Sequence, residues 1–281
     1  MTSSPQIHIV IVTWNGKHLI ERLVESLEKS DRPCERIVVV DNASSDGTVE
    51  MLADRFPRIE VIRMEKNIGY SAGINVGLKR VKEKGAQYVW VFNNDVVVKP
   101  DCLAKLVDTI ESDPQIGVVG PIVFDYKTKQ IAHAGYRINM WTGGMKEIGT
   151  PPGDEPYEVD SAFGCSNLIR MEAVERIGGF DDGYNVYFDE TDFNSRARRD
   201  GWKVVVEPRA GVYHEESATM NRMIMKKGLL LLRNLVRFEV KNAGPLRLTV
   251  FFPYFLLIHI PQFLVRGAWY ALKVGRESRR N

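Results

Sequence analysis

An α/β fold on a mostly parallel central sheet flanked by helices is what this sequence predicts, on three observations. The runs Ile7 to Thr13 (IHIVIVT) and Arg36 to Asp41 (RIVVVD) are too uniformly β-branched for strands with one wet face, so both faces must be covered. Between them Leu19, Leu23 and Leu27 recur at helical spacing. The strand-helix alternation then continues, as parallel strands require, because each return to the sheet needs a crossover.

After Asp41 the stretch Asn42-Ala43-Ser44-Ser45-Asp46-Gly47 is turn chemistry, with Asp46 suited to cap a helix running to Phe56. A third strand at Glu60 to Met64, a helix at Ala72 to Lys84, a fourth strand at Tyr88 to Phe92 and a helix after Pro100 complete a βαβαβαβ pattern. Beyond Pro121 the regularity fades. Gly135, Gly143-Gly144 and Pro151-Pro152-Gly153 punctuate short segments that suit a hairpin and a flexible loop. A strand-helix passage follows from Val159 through Arg170 and Ile177, then a helix at Thr191 to Arg199 and a last strand at Lys203 to Val206. Residues 1–219 read as one domain and residues 220–281 as a helical extension.

Composition agrees with a folded chain. Of 281 residues 44% are hydrophobic and 26% charged, which excludes a disordered or collagen-like polymer. The net charge of +2 argues against a nucleic-acid partner, yet it conceals a split. From Met220 onward 12 Lys/Arg face 2 Asp/Glu, a net of +10, which leaves −8 before it and suits the tail to an anionic surface. Cys34, Cys102 and Cys165 lie far apart with no Cys/His cluster, so neither a zinc site nor a disulfide framework is expected. The N-terminus lacks the pattern of a signal peptide, and a reducing cytoplasm is expected.

Polar residues crowd the carboxyl ends of three strands, where open α/β sheets collect ligands: Thr13-Trp14-Asn15, Asp41-Asn42 and Asn93-Asn94-Asp95. Asp41 either accepts from a ligand N–H or O–H or caps its own loop. Asp95 either serves a hard divalent cation, which wants oxygen donors, or closes an Asn/Asp turn. The segment Asn67-Ile68-Gly69-Tyr70-Ser71-Ala72-Gly73-Ile74-Asn75 opens a helix, whose free N–H groups favour anions. It is neither G-x-G-x-x-G nor a G-K-[ST] loop, which removes the main support for dinucleotide oxidoreductases and phosphate-loop NTPases. In Asp189-Glu190-Thr191-Asp192, carboxylates crowded against Tyr184, Tyr187 and Phe188 supply either a base of raised pKa or acidic caps for a helix, with Asp192 the better cap. His214, in Val212-Tyr213-His214-Glu215 at the end of the final strand, is a metal ligand or an ordinary structural histidine, and its HEES context is not a zinc-protease motif.

Together IVTWNG, VVVDNASSDGT, NIGYSAGIN, FNND, GGFDDGYNVYFDETDF with the following RARRDGW, and VYH resemble, in this order, the family-2 inverting glycosyltransferases of the GT-A fold, especially their rhamnosyltransferase-like branch. The resemblance spans residues 7 to 216. It implies transfer of a sugar from a nucleoside-diphosphate donor to a hydroxyl of a lipid-linked or saccharide acceptor, with inversion. The first donor it suggests is dTDP-rhamnose, with UDP- and GDP-sugars next. Thr13, Asn15 and Asp41 would hold base and ribose, and Asn67, Gly69 and Asn75 would border nucleotide and sugar. Asn93-Asn94-Asp95 stands in place of the family's D-x-D motif, so Asp95 would bind the Mg2+ or Mn2+ that grips the diphosphate, with His214 completing the shell. The family's Glu-Asp pair is inverted here as Asp189-Glu190, which makes Glu190 the aligned base and Asp189 the reserve.

In the same resemblance Gly164-Cys165 lines the acceptor side, where Cys165 packs, and the glycine-rich loop around Trp141 covers the donor. Trp202 reads as core. A sugar nucleotidyltransferase is an alternative, but Trp14-Asn15-Gly16-Lys17 is too sparse for its glycine- and Lys/Arg-rich loop. A non-catalytic nucleotide-sugar-binding or membrane scaffold is another. Leu248 to Val265 has 18 residues without a formal charge between Arg247 and Arg266, followed by Lys273, Arg276, Arg279 and Arg280. Pro253 and Pro261 break it, so it is expected to lie in the headgroup region rather than span, or to pack on the body or against a second copy in a homodimer. A peripheral place on the inner face of the cell membrane follows, near a lipid-carried acceptor.

Overall fold

The structure, a computed structural model, describes residues 5–32, 34, 36–184, 186–215 and 224–265. The first half runs β1 (Ile7–Thr13), α1 (Lys17–Glu28), β2 (Arg36–Asp41), α2 (Thr48–Arg55), β3 (Glu60–Arg63), α3 (Tyr70–Glu83), β4 (Tyr88–Asn93), β5 (Val96–Val98) and α4 (Cys102–Ser112). It continues with β6 (Ile116–Asp125), β7 (Ile131–His133), β8 (Tyr136–Asn139), β9 (Gly144–Glu147), β10 (Tyr157–Glu158), β11 (Ser166–Arg170), α5 (Met171–Ile177), α6 (Asp189–Arg199) and β12 (Lys203–His214). The chain forms two compact units, Met1–Arg137 with Lys146–Glu216, and Ile138–Met145 with Ser217–Asn281.

The sheet order is β10-β12-β6-β11-β4-β1-β2-β3, with β5 on β12 and β7 on β6, while β8 and β9 form a separate hairpin. β1 is parallel to both β2 and β4, as the alternating pattern requires, and β3 is parallel to β2. Two core clusters explain why β1 is apolar on both sides. Ile7, Ile9 and Ile11 pack with the Leu23 side of α1 and the Leu106 side of α4. Val10 and Val12 pack with Ile74 and Leu78 of α3. Trp202 is buried, as its reading as core expects.

The last strand differs from the expectation that it stops at Val206: β12 runs on to His214. The interruption in its pattern is a bulge. Its parallel pairing with β6 shifts register between Glu207 and Gly211, and Pro121 of β6 sits opposite Glu207, where a residue without an N–H is tolerated. The ten-residue β6 is continuous through Pro121, where the sequence alone shows only fading regularity. At α2 the cap position is Gly47, with φ +80°, and Asp46 acts from one residue earlier. Its carboxylate accepts from the Thr48 N–H at 3.2 Å and the Lys17 N–H at 3.0 Å, tying the first two strand-to-helix turns.

The second unit is helical. Ile224–Asn242 forms α7, and α8 (Pro245–Tyr254) runs into a wide turn at Phe255–His259. In that turn the Ile260 N–H reaches back to the Phe255 carbonyl, five residues away. Pro261 has no N–H to offer Leu257, so the turn opens instead of continuing in α geometry. The basic residues expected to flank the apolar segment on its far side, Arg266 to Arg280, lie outside the described residues.

The close seat of α3 on β1 is set by glycine. A Cβ on Gly77 would fall 2.3 Å from Val10 Cγ1, inside a central strand that cannot yield. Gly77→Ala is therefore expected to destabilise the fold by about 1–3 kcal/mol despite alanine's better helix propensity, seen as a lower urea midpoint with an unchanged slope.

Candidate active site

Register brings the polar strand tips into one row. Thr13 pairs with Asp41, and Val12 pairs with Asn93. Asp41 is fully buried: one carboxylate oxygen accepts from the Ser44 N–H at 3.0 Å, and the other has no hydrogen-bond partner among the described residues. A buried acceptor left unmatched is costly, and a ligand N–H or O–H would satisfy it. The Asn94 side-chain amide donates to the Thr13 hydroxyl at 2.8 Å, which joins two of the tips directly.

Other predicted binding residues build the scaffold. The Asn15 N–H donates to Ser44 Oγ, and its side-chain oxygen accepts from the Ser45 N–H, each at 2.8 Å, so Asn15 holds the loops after β1 and β2 together. The Asn67 side-chain oxygen accepts from the Gly69 N–H at 2.9 Å, shaping the turn into α3, where Gly69 takes φ +90°. Asn75 engages both polar groups of the Phe180 backbone, at 2.7 and 2.8 Å, so its amide fastens the segment before the acids.

Asp95 follows β4 directly, and His214 ends β12, which pairs antiparallel with β5 so that His214 stands opposite Val96. Asp95 Oδ1 and His214 Nε2 lie 3.1 Å apart, both largely buried. The imidazole is flanked by the edge of Phe163, 5.6 Å away between centroids, and Phe163 is stacked at 3.8 Å on His133. Among the described residues no group of three or more His, Cys, Asp or Glu could hold a metal ion. One carboxylate and one imidazole still fit a divalent cation of the Mg2+ or Mn2+ kind, which keeps waters and takes substrate phosphate oxygens as its remaining ligands.

The acid pair opens α6. Tyr187 and Phe188 precede it with φ of 65° and 68°, a left-handed conformation that aromatic residues rarely adopt and that costs about 1–3 kcal/mol each. This sharp entrance sets Asp189 and Glu190 side by side at the helix N-terminus. Asp189 is buried, and its carboxyl is pushed well above the usual range, first by burial, then by the charge of Glu190 and its hydrogen bond to it. Glu190 is half-buried and also raised by burial, but the shared hydrogen bond pulls it down. Burial thus raises both members of the pair, and their shared hydrogen bond couples the two titrations.

Three groups show that the tips and the acids face one space. The Asn93 N–H donates to the Cys165 carbonyl at 3.0 Å. A Cβ on Gly164 would fall 2.8 Å from Glu190 Cγ, so the glycine leaves the room that Glu190 fills. The Cys165 thiol, buried as expected, is pushed up first by burial and then by the charges of Asp95 and Glu190. Tyr70, which sequence reasoning did not single out, points to the same place. Its phenol is raised by burial and then by Asp189, Cys165, Glu190 and Asp95, and its hydroxyl has no hydrogen-bond partner among the described residues. Its only sequence signal is its position at the start of α3. Asp192 stands apart as a structural residue: fully buried, it binds Arg196 at 2.7 Å, and Arg196 donates onward to the Ile177 and Gly179 carbonyls.

The chain belongs to glycosyl transferase family 2, whose family model matches residues 8–178. It is 26% identical over 240 residues to the N-acetylglucosaminyl-diphospho-decaprenol L-rhamnosyltransferase of Mycobacterium tuberculosis, covering 76% of this chain and 77% of that protein. It is 24% identical over 271 residues to the dTDP-rhamnosyl transferase RfbF of Shigella flexneri, covering 90% and 86%. Among solved structures, GalNAc-T7 with UDP, GalNAc and Mn2+ shares the fold at a TM-score of 0.67 and 20% identity, over 85% of this chain and 48% of that one. The mannosyltransferase PcManGT from Pyrobaculum calidifontis with GDP-Man and Mn2+ does so at 0.66 and 18%, over 96% and 76%. The nucleotidyltransferase and scaffold alternatives thereby give way to a glycosyltransferase.

Because the fold raises the Asp189 pKa, its protonated form contributes stability in full below the ordinary carboxylate range, and that contribution is lost as pH rises toward the folded value. Asp189→Asn keeps the size and removes the ionisation. Thermal midpoints are expected to show the variant gaining on the wild type as pH climbs from about 4, the unfolded carboxyl value. A pH-independent difference would count against the assignment.

Proposed function

We propose that this glycosyltransferase moves a sugar, with inversion, from a nucleoside-diphosphate donor to a hydroxyl of a lipid-linked or saccharide acceptor. The observation that carries the reading is that the peptide of Gly164 and Cys165 lies between the strand tips and the acids: the Cys165 carbonyl accepts from the Asn93 N–H at 3.0 Å, two residues before Asp95, and Gly164 leaves the room that the Glu190 stem fills. Asp41 offers its unmatched buried oxygen to the nucleoside, and Thr13 supports it through the Asn94 bridge. Asn15, Asn67, Gly69 and Asn75 shape the loops that border nucleotide and sugar. Asn93 and Asn94 present amides beside the diphosphate.

Asp95 and His214 would hold the divalent cation, which when bound neutralises charge on the departing nucleoside diphosphate. Glu190, in its ionised form, accepts the proton of the attacking acceptor hydroxyl. Asp189 holds the Glu190 carboxylate in place through their shared hydrogen bond. A single base with attack from the opposite face gives inversion. The rhamnosyl activities of the two relatives favour dTDP-rhamnose as donor, with UDP- and GDP-sugars next.

The lipid-carried acceptor of the mycobacterial relative and the second unit support a peripheral place on the inner face of the cell membrane. Pro245–Val265 is a 21-residue helix long and apolar enough to cross a membrane, and almost none of it is buried within the protein. Together with the basic tail, it supports attachment to an anionic leaflet.

Nucleotide release across dTDP-, UDP- and GDP-sugars, with Mg2+, Mn2+ or chelator, tests donor and metal together. Turnover of dTDP-rhamnose that chelation abolishes is expected, and a product of retained anomeric configuration would overturn the single-base mechanism. Glu190→Gln is expected to lower transfer by about 10²- to 10⁴-fold while calorimetry still shows donor binding. In the wild type, transfer should fall as acid protonates Glu190, at a pH above the ordinary carboxylate range because its pKa is raised.

A further inference from the structure

The loop around Trp141, which the sequence places over the donor, belongs to the same compact unit as the C-terminal helices. Two contacts fasten it there. The His259 Nε2–H donates to the Thr142 carbonyl at 2.8 Å. Gly143, with φ +68°, lies so close to the helices that a Cβ would come 2.9 Å from both Leu235 Cδ1 and Phe251 Cε2. The Trp141 N–H is turned inward to Asn139 Oδ1 at 3.0 Å, while the side chain is 43% exposed. Beside it in the same unit, Leu246, Val250, Phe252, Leu256, Leu257, Leu264 and Val265 are exposed as well.

We propose that Trp141 and the Pro245–Val265 helix form one docking surface that lies along the headgroup region of an anionic bilayer, with the helix parallel to the membrane plane. This rests on the membrane reading above and adds to it the orientation and a second anchor.

A spanning helix is opposed by the His259 bond. The helix is about 32 Å long at 1.5 Å per residue, close to the thickness of a hydrocarbon core, so His259 would sit well inside that core. The non-helical backbone of residues 138–145 would be carried in with it, and lipid-exposed irregular backbone is not tolerated at that depth. Laid flat, the same bond keeps the loop at the interface, where the amphipathic indole is favoured.

A second copy of the chain is opposed by shape and charge. At 100° per residue the exposed apolar residues of the α-helical part alone, Leu246, Val250, Phe252 and Tyr254, spread over an arc of about 200°, wider than the stripe a helix-helix contact uses. Residues 224–265 carry Lys226, Lys227, Arg233, Arg237, Lys241 and Arg247 against the single acid Glu239. Glu239 is buried, and burial pushes its carboxyl up to about 7. Two such faces repel each other, whereas anionic headgroups attract both.

The test uses the full chain and vesicles of phosphatidylglycerol and phosphatidylcholine. Wild type is expected to float with them and to come off in an alkaline carbonate wash. Trp141→Ala should weaken partitioning about tenfold. Shallow brominated lipids should quench wild-type emission more than that of Trp141→Phe. Equal partitioning of wild type and Trp141→Ala, with equal quenching in both tryptophan forms, overturns the anchor and leaves the membrane reading standing. Failure of the wild type to float overturns both. Carbonate-resistant protein overturns the flat orientation, and a lipid-free dimer that Trp141→Ala dissociates overturns the bilayer in favour of a second copy.

Discussion

The site depends on a constraint of register: parallel strands must end together if their tips are to act together. Pairing of Thr13 with Asp41 and of Val12 with Asn93 sets three polar tips in a row. The antiparallel β11 joins the same end from the other direction, since Ser166 pairs with Phe92 and delivers Gly164 and Cys165 just beyond it. β12 arrives parallel to β6 and delivers His214. A slip of one residue in any of these pairings would turn a tip toward the wrong face and empty its position.

Electrostatics then separates groups of like chemistry. Asp95 and Glu190 are both acids near one pocket, yet one is paired with an imidazole and the other with a carboxyl. The second arrangement discourages charge on the pair. Within the acid pair, depth makes the distinction: Asp189 is buried, Glu190 only half so. The strained turn at Tyr187 and Phe188 brings both to a helix N-terminus, where an ionised member is welcome.

Much of this was legible in the sequence because local pattern and global fold agree. β1 through β4 announce themselves by apolar runs, and their tips by the polar residues that break those runs. The bulge in β12 hid the second half of that strand, since Glu207, Pro208 and Gly211 imitate a loop. Tyr70 was unreadable as a site residue, because a tyrosine opening a helix looks like any other until the chain folds back from residue 189. Asn75 was legible as important, but its partner is a backbone 105 residues away. Beside Trp141 the glycines suggest a flexible loop, whereas Gly143 serves close packing.

The bare backbone at Gly164 bears on how far Glu190 can stretch. Its side-chain stem occupies the space that a methyl group at residue 164 would need. Trimming the acid by one methylene would draw its oxygens back by about 1.5 Å. Widening residue 164 would push the stem aside by a similar measure. The two positions thus behave as a matched pair of lengths, and the reach of the carboxylate from the peptide chain is set by both together rather than by the acid alone.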